Sequence, residues 1–188
     1  QYANPEYIAS DLLSQSEHGP DSQVIFVSLS RSLINDVEKC IIDQIENLDR
    51  KDFINKSISN SKLIFFDNKE EAVEFINQYA PEHYIINVQD ESFFIDNIVS
   101  AGSVFIGNYT AESAGDYASG TNHTLPTNGN AKQYSGVNLD SFLKTITFQK
   151  ISKEGLLNIS KTVETMAEAE GLQAHKNAIS IRVKDLNN

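Results

Sequence analysis

Apolar positions along the first hundred residues follow two rhythms. Short apolar runs at 24–29, 63–66, 84–88 and 104–106 have the length of buried strands. Between them, the stretches 33–48 and 70–79 place apolar side chains three and four residues apart, which predicts helices with one apolar face. Strand and helix therefore alternate, the pattern of an α/β chain built around a largely parallel sheet. Ahead of the first run, Asn4 and Pro5 open a helix: the amide oxygen can cap free N–H groups, and proline sits where no donor is needed. That helix should run to about Glu17 and stop at Gly19-Pro20.

The rhythm then breaks. Residues 107–136 are rich in Gly, Ser, Thr and Asn with little apolar period, which predicts a long loop with a functional role. Residues 145–151 suit another strand. Leu156, Ile159, Val163, Met166 and Ala167 mark one face of a helix that Gly171 closes. In the tail, 172–186, the alternation of Ile179, Ile181 and Val183 fits a strand, yet the same residues could pack from a helix. No internal repeat or low-complexity tract is present.

Composition narrows the function classes. The chain has 188 residues, enough for one sizeable domain with a small appendage. No apolar run approaches the roughly 20 residues of a membrane helix. A formal charge of -11, with no basic stripe, opposes binding to phosphate backbones and leaves a small molecule or a protein as the expected partner. Cys40 is the single cysteine, so no internal disulfide is possible, any metal must be held by nitrogen and oxygen ligands, and a reducing, cytoplasmic location is expected. Gln1 in place of methionine, with no leader, suggests a piece of a longer protein.

All four histidines, His18, His83, His123 and His175, stand beside carboxylates, amides or glycines. Gln15 and His18, three apart at a helix end, could grip one ion or simply form a polar terminus. In Pro81-Glu82-His83 an acid and an imidazole meet at the start of an apolar run, where they could share proton transfer and water activation, or form a charged turn. Asp116 and His123 share the glycine-rich loop, whose spacing matches neither a phosphate-binding loop nor a dinucleotide fingerprint. Glu170, four residues after Met166, falls on the apolar stripe of its helix, where a carboxylate needs a cation. His175 follows just after that helix closes.

The blocks LLSQSEHGPDSQ (12–23), YAPEH (79–83), GSVFIGNYTAESAGDYASGTNHTLPT (102–127) and EGLQAHKNA (170–178) together closely resemble histidinol dehydrogenase, in that family's order and across nearly the whole chain. SAGDYASGTNH is the most specific of them, and the run Tyr134 to Val137 is similar to the fungal versions, which belong to multifunctional histidine-biosynthesis proteins. The resemblance implies oxidation of L-histidinol through the aldehyde to L-histidine with two NAD molecules. It implies Zn2+ held by Gln15, His18 and Asp116, with His175 donated across an intertwined homodimer. Glu82 and His83 become the acid-base pair, and His123 and Glu170 substrate contacts alongside the metal ligands and His83. The nicotinamide-contacting segment of the family lies upstream of the matching part, so the implied chain is a carboxy-terminal fragment inactive alone. For the fold, the resemblance implies an incomplete doubly wound, Rossmann-like α/β domain over 1–140 and a helical dimerisation extension over 141–188. Two other readings stay open: a non-catalytic zinc-binding or dimerisation domain, and a zinc hydrolase using Glu82 with His18 and Asp116.

Overall fold

The computed structural model describes residues 2–187. It divides into two compact units, Gln1–Leu143 and Lys144–Asn188. The first opens with α1 (Pro5–Ser16), whose N-cap Asn4 accepts a hydrogen bond from the Glu6 amide at 2.9 Å and whose last turn ends at Glu17. This is the helix that Asn4-Pro5 predicts. There follow β1 (Ile25–Ser28), α2 (Arg31–Ile45), α3 (Lys51–Asn60), β2 (Lys62–Phe65), α4 (Lys69–Tyr79), β3 (His83–Ile86), α5 (Glu91–Asp96), β4 (Ser103–Ile106) and α6 (Glu112–Tyr117). All four apolar runs form strands, each paired in parallel as the alternation with helices requires.

The pairing differs from a single sheet. β1 pairs with β2 and β3 with β4, and no ladder joins the two pairs among the described residues. Each pair has its own core. Ile8, Ala9 and Leu13 of α1 pack with Val37, Ile41 and Ile45 of α2 and Ile54 of α3, while Tyr84 and Ile86 of β3 pack with Val73, Ile76 and Phe94. Val27 of β1 reaches the second cluster by side-chain contact alone. Helices α3 and α5 are additions to the pattern. α3 has no side-chain cap and only a thin apolar face, yet Ile54 is fully buried, so tertiary packing and not propensity holds it.

The stretch 107–136 is not a continuous loop, because α6 forms within it. Gly115 lets that helix lie against Phe105 of β4: a Cβ there would meet the Phe105 ring at 2.5 Å. The strand expected over 145–151 does not form. Those residues are exposed and have no ladder partner among the described residues, and a strand without a neighbour leaves its backbone groups to water.

The second unit is a helical hairpin of α7 (Lys153–Ala169) and α8 (Gln173–Leu186). Ser152 caps α7 by accepting from the Gly155 amide at 3.0 Å, and Gly171 turns the chain at a φ of 73°. The tail is thus helical: Ile179 and Val183, four apart, share the half-buried face, while Ile181 is exposed. No helix among the described residues is long and apolar enough to cross a membrane.

Candidate metal and acid-base centre

Three segments of the first unit converge. The end of α1 supplies Ser14, Gln15 and, one residue past the C-cap, His18. The start of β3 supplies Glu82 and His83, and α6 supplies Glu112 and Asp116. Local geometry fixes each contribution. The Gly102 amide donates to Pro81 O and the Ser103 amide to Glu82 O, both at 2.9 Å, so the strand pairing of β4 holds the backbone of the Glu82-His83 step. Gly102 is required there, since a Cβ would lie 2.5 Å from Glu82 O. At the other end, Asn108 just after β4 accepts from the Asn4 amide at 3.3 Å and donates to Tyr2 O at 3.0 Å, tying the start of α1 to the β4–α6 connection.

The side chains meet on this frame. One ligand atom each from His18, Glu112 and Asp116 lies within 4.8 Å of the other two. His83 Nε2 stands 3.6 Å from Glu112 Oε1 and 3.9 Å from Asp116 Oδ1. Ser14 Oγ donates to Glu112 Oε2 at 2.7 Å. His18 is exposed, Asp116 is partly covered, and Glu112 is 3 % exposed, so the cluster runs from an open side inward. Its inner polar atoms lack partners: Gln15 Oε1, His83 Nε2 and Glu112 Oε1 are buried and make no hydrogen bond. Buried polar atoms without partners are costly unless a ligand satisfies them.

Burial shifts two carboxyls of the cluster. Burial pushes the Glu82 carboxyl above its ordinary range; the nearby His83 and His18 act against this, and Asp116 and Glu112 with it. Asp11, one turn before Gln15 on α1, is pushed up to about 6 by burial and then by Glu112. At both carboxyls burial is the larger cause and the neighbouring carboxylates add to it. The nitrogen and oxygen donors, with no thiolate among them, fit a divalent ion such as zinc, and the buried Gln15 carbonyl oxygen without a partner is a further donor of the same kind.

The other expected residues are His123, Glu170 and His175. His123 is exposed in the coil after α6, with no hydrogen bond or ion pair to the cluster among the described residues. Glu170 and His175 belong to the second unit and are exposed. Glu170 is therefore not buried on an apolar stripe: it is the C-cap of α7, where the helix ends and Met166 before it is itself 59 % exposed. Glu112 is the residue that reading the sequence missed. Its signal was present, because it stands four residues before Asp116 and hence on the same face once α6 forms; a loop expected at that place hid the spacing.

Comparison with known proteins places this geometry. The chain is 54% identical to the chloroplastic histidinol dehydrogenase of Arabidopsis thaliana, covering 99% of this chain and 40% of that protein. It is 50% identical to the histidine biosynthesis trifunctional protein of Saccharomyces bayanus, over 98% of this chain and 23% of that protein. The crystal structure of histidinol dehydrogenase from Elizabethkingia anophelis superimposes with a TM-score of 0.95 at 52% identity, covering all of this chain and 43% of that one. The chain thus spans less than half the length of each of these relatives, and plant, yeast and bacterial proteins match it about equally well, so no fungal origin follows. With the profile of that family matching residues 1–183, cluster and all, the chain belongs to the histidinol dehydrogenase family.

Proposed function

We propose that this chain supplies the metal and acid-base half of a histidinol dehydrogenase, whose nicotinamide-contacting half lies in a part of the protein outside the 188 residues. The observation that carries the reading is the convergence of His18, Asp116 and His83, from three separate segments, around the buried, unpartnered Glu112 Oε1. Gln15, His18 and Asp116 are the residues that would hold zinc, with His175 completing the set from the partner in a homodimer. When bound, the ion would anchor the imidazole and amino nitrogens of L-histidinol, and NAD would take up hydride in each of two oxidations.

The chain's own residues then move protons. His83 takes the hydroxyl proton at a ring nitrogen as the carbinol C–H bond is lost, giving the aldehyde. Glu82 removes a proton from the water that adds to the aldehyde carbon, and loss of a second hydride and proton from that hydrate gives the acid. A base working near neutral pH benefits from a carboxyl raised by burial, which is the direction found at Glu82. His123 and Glu170 contact the substrate, Glu170 by accepting a hydrogen bond from the substrate's amino group. We assign residues 1–140 to an incomplete Rossmann-like domain and 141–188 to the dimerisation extension; the parallel strand pairs and the α7–α8 hairpin are consistent with both. The lone thiol of Cys40 suits a reducing compartment, cytoplasm or plastid.

A His83→Asn substitution in the full-length enzyme tests the assignment. Turnover of L-histidinol should be abolished while the bound zinc, measured by atomic absorption, stays at the unsubstituted level. Retained turnover would remove His83 from the mechanism.

A further inference from the structure

Glu112 has no role in the scheme above, yet it is the most deeply buried charged side chain of the centre, at 3 % exposure. Its two oxygens are differently engaged. Oε2 accepts the Ser14 hydroxyl at 2.7 Å, which fixes the carboxylate on α6 against α1. Oε1 has no hydrogen bond and stands 3.6 Å from His83 Nε2, which also has none. A buried acceptor and a buried ring nitrogen have thus been left facing each other, from two elements far apart in sequence.

Resting on the reading of His83 as the base, we infer that Glu112, anchored by Ser14, is a positioning residue that keeps the His83 imidazole turned toward Asp116 and the metal side. The ring needs such a hold. His83 is the first residue of β3, its Nε2 makes no hydrogen bond and has only the more distant Asp116 Oδ1 at 3.9 Å besides Glu112, and Phe105 lies tilted against it with ring centroids 5.9 Å apart. Packing on one ring leaves rotation about χ2 open, whereas a carboxylate fixed at its far oxygen selects one orientation. Glu112 also lies within ligand distance of His18 and Asp116, but Oε2 is committed to Ser14 and the free Oε1 faces His83, so that oxygen is assigned to the ring and zinc content tests the ligand role.

The test is made in the full-length enzyme with Glu112→Ala and Glu112→Gln, measuring kcat and KM for L-histidinol, zinc content and thermal melting. A misdirected base costs rate and not ground-state binding, so Glu112→Ala should lose about 10- to 100-fold in kcat with KM within about twofold and zinc content unchanged. The isosteric glutamine keeps an acceptor oxygen in place and should restore kcat to within about threefold of the unsubstituted enzyme. Wild-type kcat in Glu112→Ala, or zinc loss in Glu112→Gln, would overturn the inference, the latter by making Glu112 a ligand. So would a glutamine variant as slow as the alanine one, since charge and not orientation would then matter. An unsubstituted enzyme unable to oxidise L-histidinol would instead remove the parent reading, and this inference with it.

Discussion

At the scale of single residues, the centre is a store of unsatisfied groups. Gln15, His83 and Glu112 each bury a polar atom without a partner, and Asp11 carries a carboxyl pushed up to about 6 beside Glu112. Buried polar groups of this kind cost stability unless a ligand or a proton satisfies them. This has a measurable consequence for the metal-free chain. The folded Asp11 carboxyl binds its proton more tightly than the unfolded one, whose ordinary value is 3.8, so its stabilising contribution is present below 3.8 and lost as pH rises through about 6. Asp11→Asn should therefore raise the melting temperature at pH 7 in the presence of chelator and make little difference at pH 3.5. Equal effects at the two pH values would show that Asp11 titrates as an ordinary surface carboxylate.

At the scale of elements, the active constellation depends on two close approaches that only glycine permits. Gly115 seats α6 on Phe105, and Gly102 seats the entry of β4 on the Glu82 carbonyl. The second bears on the proposed acid-base pair, because the same backbone positions Glu82 and His83. Gly102→Ala should cost about 1–3 kcal/mol of stability through overpacking against backbone that cannot rotate away. In the full-length enzyme it should also depress kcat more than removal of the exposed Val99 side chain does; equal kcat for Gly102→Ala and Val99→Ala would show that the step between Glu82 and His83 tolerates displacement.

What was legible in the sequence divides at the same scale. The helix from Pro5, the four short strands and the closure at Gly171 follow from caps, apolar runs and turn chemistry, which are local. α3, α6 and the unpaired stretch 145–151 were not legible, because each is decided by neighbours: Ile54 by the α1–α2 core, Gly115 by Phe105, and 145–151 by the want of a partner strand. The site followed this division. Gln15, His18, Glu82, His83 and Asp116 were recognisable from their blocks, and the structure brings His18, His83 and Asp116 together. Glu112 became visible only when six residues of the expected loop turned out to be a helix.

At the scale of the whole molecule, the chain matches its relatives almost end to end and yet spans 40% of the Arabidopsis enzyme and 43% of the Elizabethkingia one. In the proposed reading these 188 residues hold the metal and proton-transfer groups, and their sequence carries no dinucleotide fingerprint. Hydride transfer needs a bound nicotinamide, so division of the site between this chain and the rest of the enzyme is the central claim. The most direct measurement is the absorbance of NADH at 340 nm with L-histidinol, zinc and NAD, for the purified 188-residue chain and for the full-length protein side by side. The account predicts NADH formation by the full-length protein and none by the chain alone. Turnover by the 188 residues alone would contradict it.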